Sequence, residues 1–155
     1  MSVRRDGKIA VLGMGNELLK DEGIGVHVIR YLENVPGLGS VRLIDGGTRP
    51  DAIDEIGDVE RLIIVDAIRG EGDPGAVYRL SPEQVQAQKP SSVHELTVMD
   101  MLWAMDILGS VPDVTIIGIE PKEIDWGLEL SPELANKLPQ IAEVVLEEIR
   151  QGISV

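Results

Sequence analysis

Apolar runs alternate with helix-period segments along the whole chain, the pattern of an α/β sheet. Residues 8–13 read as a first buried strand. Residues 23–33 carry apolar side chains at Ile24, Val28, Ile29 and Leu32, a helical stripe with Asp21 standing upstream as its cap. Residues 41–44 form a second strand that ends in Asp45-Gly46-Gly47-Thr48, and Asp51 and Asp54 favour a short helix over 50–56. The apolar run of residues 61–65 gives the clearest strand and closes on Asp66. Residues 68–76 are Gly-rich and charged, a loop by composition, and 76–80 a short edge strand. A helix is expected over 93–108 and a strand over 113–119. A last helix is expected from Ser131-Pro132 to Arg150, kinked or restarted at Pro139. The expected architecture is a single α/β domain over residues 1–155, a mostly parallel twisted sheet of about five strands sandwiched between helices.

In such sheets, ligands bind outside the carboxyl ends of the parallel strands. Those ends carry Gly13-Met14-Gly15-Asn16, Asp45-Gly46-Gly47-Thr48, Asp66 and Gly118-Ile119-Glu120-Pro121. Gly13-x-Gly15 with an acid closing the second strand is part of a dinucleotide fingerprint. The third glycine of that fingerprint would fall at Leu18, and Asp21 and Glu22 would oppose a pyrophosphate at the helix start. A cation fits better. Glu22, Asp66 and His94 supply two carboxylates and an imidazole, donors suited to nickel, zinc, manganese or iron, with positions left for substrate or water. The three are far apart in sequence, without a local HExxH-type signature, and each has a plainer role as helix-start, strand-end or surface residue. His27, about a turn and a half beyond Glu22, reads as structural.

Composition removes several alternatives. With no Cys, disulfides, thiolate metal sites and a Cys nucleophile are excluded, and no Ser stands in a G-x-S-x-G elbow. Activation of water or of a carbonyl must then fall to a metal or a carboxylate. The 27 acidic against 14 basic residues give a net charge of −13, which argues against nucleic acid as a partner. No stretch approaches the roughly 18 apolar residues of a membrane span, and the first residues do not read as a signal peptide. The expected setting is cytoplasmic, away from the membrane, as a monomer. A core without Phe must be built from Val, Ile, Leu, Met and Ala.

From about Lys8 to Ile149 the chain resembles the hydrogenase maturation endopeptidases, which trim the C-terminus of the large subunit of nickel–iron hydrogenases. The resemblance rests on Gly13-Met14-Gly15-Asn16-Glu17-Leu18-Leu19-Lys20-Asp21-Glu22-Gly23-Ile24-Gly25-Val26, on Asp45-Gly46-Gly47-Thr48 and on Ile64-Val65-Asp66-Ala67. Ser92-Val93-His94-Glu95, Gly118-Ile119-Glu120-Pro121, Trp126-Gly127-Leu128 and Leu130-Ser131-Pro132-Glu133 extend it. It implies a metal-contacting trio at Glu22, Asp66 and His94, with Asp45 in the same cleft as a catalytic or substrate-orienting carboxylate. The metal would be nickel carried by the substrate precursor, with zinc or another divalent ion as the alternative. The implied partner is the precursor of a nickel–iron hydrogenase large subunit. The family often has Gln or another polar residue where Glu120 stands. A non-enzymatic alternative is an acidic nickel-binding assembly chaperone using the same residues.

Overall fold

The structure, a computed structural model, describes residues 9–86, 103 and 112–153. The strands are β1 (Ile9–Met14), β2 (Arg42–Gly47), β3 (Arg61–Ala67), β4 (Val77–Leu80) and β5 (Asp113–Ile119). They form one sheet in the order β2-β1-β3-β5-β4. All neighbours are parallel except β4, which closes the edge antiparallel to β5. The helices are α1 (Ile24–Leu32), α2 (Ile53–Ile56), α3 (Pro82–Gln86) and α4 (Pro132–Ile153). Five strands, a mostly parallel sheet and flanking helices are what the hydropathy pattern predicts.

Strand β3 lies at the centre of the sheet, and Leu62, Ile63, Ile64 and Val65 are all buried. A strand covered on both faces reads as a continuous apolar run, which is why it was the clearest in the sequence. Its side chains alternate between two cores. Ile63 and Val65 join Ile9, Val11, Ile117 and Ile119 under α1 and α4. Leu62 and Ile64 join Ala10, Leu12, Met14 and Ile116 on the opposite face, against Ala52 and Ile56. Helix α1 sits close on the sheet because glycines face each other: a Cβ at Gly13 would lie 2.3 Å from the Gly25 carbonyl oxygen. A Cβ at Gly25 would lie equally close, 2.3 Å, to the Val65 carbonyl oxygen.

Several details differ from the sequence expectation, among them β2, which runs on through Asp45 to Gly47. Strand β1 continues to Met14, and β3 continues through Asp66 instead of ending before it. Asp21 does not cap α1: the helix starts after Gly23 without a side-chain cap, and Asp21 sits in a preceding 3-10 turn, Lys20–Gly23. Helix α4 runs unbroken through Pro139, since Leu134, Ile141, Ala142, Val145 and Ile149 bury a stripe that tertiary packing holds together. Helix α3 was not foreseen, although Ser81-x-x-Gln84 is a capping box: Gln84 N–H donates to Ser81 Oγ at 3.2 Å and Ser81 N–H donates to Gln84 Oε1 at 2.8 Å. The helix expected over 93–108, with His94 in its first turn, lies outside the described residues apart from Trp103.

Candidate active site

The first turn is built on Gly15. Its φ of +121° is a conformation that side chains resist, and its N–H donates to the Gly47 carbonyl at 2.8 Å. Asn16 Oδ1 then accepts the Leu18 N–H at 3.0 Å, folding the segment back. A Cβ at Gly15 would strike the Glu22 carbonyl oxygen at 1.9 Å and lie 3.5 Å from Asp66 Oδ1. Glycine is therefore required where the Glu22 turn crosses the end of β3. The two residues are both buried, and both abut this one position.

Asp21, beside Glu22, is fully buried and accepts four hydrogen bonds. Lys122 N–H and Glu123 N–H donate to Oδ2 at 2.8 Å each. Ser131 donates its N–H to Oδ1 and its hydroxyl to Oδ2, each at 2.7 Å. One carboxylate thus ties the first turn to the segment after β5 and to the start of α4. In the pair Asp21-Glu22 the first residue fixes the turn, and the second, also buried, sits beside it.

Asp66 and Asp45 leave the same sheet edge on opposite faces. Gly13 pairs with Asp45 on one side and with Val65 on the other, so Asp66 stands one residue beyond Asp45 and points the other way. Asp66 is buried, with Oδ1 accepting the Ala67 N–H at 2.8 Å. Asp45 is 45% exposed and faces α1, where Arg30 lies 3.6 Å from its Oδ2. Arg30 also pairs with Glu17 at 2.8 Å, and that bond holds the Glu17 carboxyl below its ordinary range. Arg30 therefore links the first turn to the Asp-Gly-Gly-Thr corner.

Glu120 organises the loop after β3. Its Oε1 accepts the N–H of Gly70 at 2.7 Å and of Gly72 at 3.1 Å, and the Tyr78 hydroxyl at 2.5 Å. Burial pushes its carboxyl up, but Tyr78, the two amides and the charge of Arg69 outweigh burial and leave it below its ordinary value. The sequence placed Glu120 at a strand end but gave no sign that it holds this loop. His27 is half-buried behind the first turn, close to the Leu128 backbone. Its Nε2 is buried with no hydrogen-bond partner among the described residues. Desolvation, and then the charge of Arg30, lowers its pKa, so the ring is held neutral.

Among the described residues no three His, Cys, Asp or Glu side chains form a cluster fit to hold a metal ion. His94, the third of the expected trio, lies outside those residues. At Gly15 the Glu22 backbone carbonyl and the Asp66 carboxylate meet, and both residues are buried there.

The sequence profile of the hydrogenase maturation protease family matches residues 26–148. The hydrogenase 2 maturation protease of Escherichia coli strain K12 is 33% identical over 151 residues, covering 94% of this chain and 92% of the relative. A hydrogenase expression/formation protein, HupD of Rhodobacter capsulatus, is 33% identical over 156 residues, covering 96% and 74%. Among solved structures, the hydrogenase maturating endopeptidase HybD from E. coli superposes with a TM-score of 0.83 at 33% identity over 93% of each chain. The nickel–iron hydrogenase maturation protease HybD from Thermococcus kodakarensis gives 0.76 at 29% identity, over 91% of this chain and 98% of its own. The five-stranded, mostly parallel sheet is the HybD fold, and the chain belongs to the hydrogenase maturation protease family.

Proposed function

We propose that this protein is an endopeptidase that removes a C-terminal peptide from the nickel-loaded precursor of a nickel–iron hydrogenase large subunit. The observation that carries this reading is a fold shared with maturation endopeptidases, and it is supported by the crossing at Gly15, where the Glu22 backbone carbonyl meets the buried Asp66 carboxylate. Glu22 and Asp66, joined by His94, approach the nickel that the precursor carries and thereby fix the scissile bond. The nickel is part of the substrate; zinc at the same donors is the alternative. Water adds to the scissile carbonyl, the C–N bond breaks, and the proton released by water passes to the leaving amine.

Asp45 stands on the open side of the edge, where Arg30 holds it. That placement suits a carboxylate that orients the substrate chain or carries the proton to the departing amine. Recognition of the precursor as a monomer in the cytoplasm completes the reading. No helix among the described residues is long and apolar enough to cross a membrane.

The test is to incubate the protein with nickel-loaded and nickel-free precursor and to follow the precursor mass. Loss of a C-terminal peptide from the loaded form alone supports the peptidase. A loaded precursor that is bound and stabilised but never shortened supports the assembly chaperone instead.

A further inference from the structure

Three large apolar side chains stand in water beside the first turn: Leu18 is 51% exposed, Trp126 75% and Leu128 62%. The backbone gathers them. Gly127 N–H donates to the Leu18 carbonyl at 2.9 Å, and Lys20 N–H donates to the Gly127 carbonyl at 2.9 Å, a parallel bridge between Leu19 and Gly127. Segments 18–20 and 126–128 therefore lie about 5 Å apart, the spacing of paired strands. The ridge is held rigidly from below. Asp21 clamps residues 122 and 123, its own N–H donates to the Glu123 carbonyl at 3.1 Å, and His27 lies close to the Leu128 backbone. Folding gains nothing from leaving a Trp and two Leu exposed on a rigid support, and contiguous exposed apolar surface of this kind marks contact with another molecule.

The charges around the ridge identify the partner. Glu17, Glu123, Asp125 and Glu129 flank the three apolar residues; Arg30 pairs with Glu17 at 2.8 Å, Lys20 with Glu123 at 3.2 Å and Lys122 with Glu133 at 3.7 Å, so the surplus beside the ridge is the acid pair Asp125 and Glu129. A second copy of this chain would bring acid against acid, on top of a net charge of −13 on each molecule. A nucleic acid or an anionic lipid surface is repelled for the same reason. A polypeptide segment that alternates apolar side chains with Lys or Arg is complementary in both respects.

We propose that the ridge of Leu18, Trp126 and Leu128 docks the hydrogenase large-subunit precursor through a segment rich in apolar and basic side chains. The proposal rests on the peptidase reading above. The ridge belongs to the same rigid turn that carries Glu22, so docking there sets the distance from the precursor's body to the cleft. It supplies recognition that does not depend on the metal.

The test measures cleavage and binding separately, using the nickel-loaded precursor. Trp126→Ala and Leu128→Ala are exposed substitutions, and unchanged unfolding midpoints would show that the fold survives. Each is expected to raise KM at least tenfold, as for a central aromatic at an interface, while kcat moves less than threefold. Asp125→Lys with Glu129→Lys is expected to raise KM more at low salt than at high salt. Unchanged KM in all these variants, with the parent protein cutting normally, overturns the docking proposal and leaves the peptidase reading intact. If the parent protein binds precursor without cutting it, weaker binding by Trp126→Ala upholds the ridge although the peptidase reading fails. A dimer in sedimentation that Trp126→Ala dissolves, with precursor binding unaffected, assigns the ridge to self-association and overturns the proposal.

Discussion

Two aspartates stand near the carboxyl ends of β2 and β3, on either side of β1, and they live in opposite environments. Asp66 is the penultimate residue of a central strand, is buried, and abuts the Gly15 crossing. Asp45 lies two residues before the end of β2, an edge strand, and stands 45% exposed beside Arg30. A central strand is flanked on both sides, so its end lies beneath the turns that its neighbours make; an edge strand is covered on one side only. A shift of one residue in register then sends the two carboxylates to opposite faces. Position in the sheet, more than residue type, buries one carboxylate and leaves the other on the exposed rim.

The sharpest way to break this comparison is to neutralise each acid in turn. Asp66→Asn is expected to lower kcat/KM on nickel-loaded precursor by about 10³-fold, the scale of losing a preorganised electrostatic contact. Asp45→Asn is expected to cost about 10²-fold or less, the scale of lost orientation. Equal losses, measured by timed mass spectrometry of the precursor, would erase the distinction. In stability the contrast moves to Asp21. Asp21→Ala strands three backbone N–H groups and a hydroxyl, and is expected to destabilise by at least about 3 kcal/mol in urea unfolding. Asp45→Ala breaks a solvent-screened pair and is expected to cost under about 1 kcal/mol.

Two smaller effects refine the picture. Glu120→Ala removes the acceptor shared by Gly70, Gly72 and Tyr78 and is expected to cost about 1–3 kcal/mol, with faster amide exchange at Gly70 and Gly72. Glu120→Gln keeps an acceptor and should retain most of that protection. The last effect is in pH. The His27 ring titrates below its ordinary 6.5 in the fold, so the unfolded chain binds the proton more readily. Its contribution to stability is present above that value and is lost as pH falls from it through the lower folded pKa. The unfolding midpoint of the parent protein should decline from pH 7 to pH 5.5, and His27→Gln should flatten that decline.

The fold was legible because its signals are local. The run Leu62-Ile63-Ile64-Val65 announces a doubly covered strand, and Gly13 with Gly25 permits the close packing of strand and helix. The candidate residues Glu22, Asp45 and Asp66 were picked out from strand ends and one turn. Long-range bonds were not legible. Asp21 reads as a helix cap because nothing local indicates Lys122, Glu123 and Ser131, more than a hundred residues away. Glu120 reads as a cleft detail because its partners lie on the loop after β3 and on β4. The opposite facing of Asp45 and Asp66 depends on register between strands, which a single chain does not display. His94 lies outside the described residues, and its part in the site rests on the motif alone.

The contact between Glu22, Asp66, His94 and the precursor's nickel is reached most directly by X-ray absorption at the nickel K-edge. Loaded precursor would be mixed with the protein and frozen within the first turnover. New oxygen and nitrogen scattering around nickel, reduced in Glu22→Gln, Asp66→Asn and His94→Ala, is the expected result. A nickel spectrum identical with and without the protein, in a mixture that goes on to lose the C-terminal peptide, would contradict the metal-guided site.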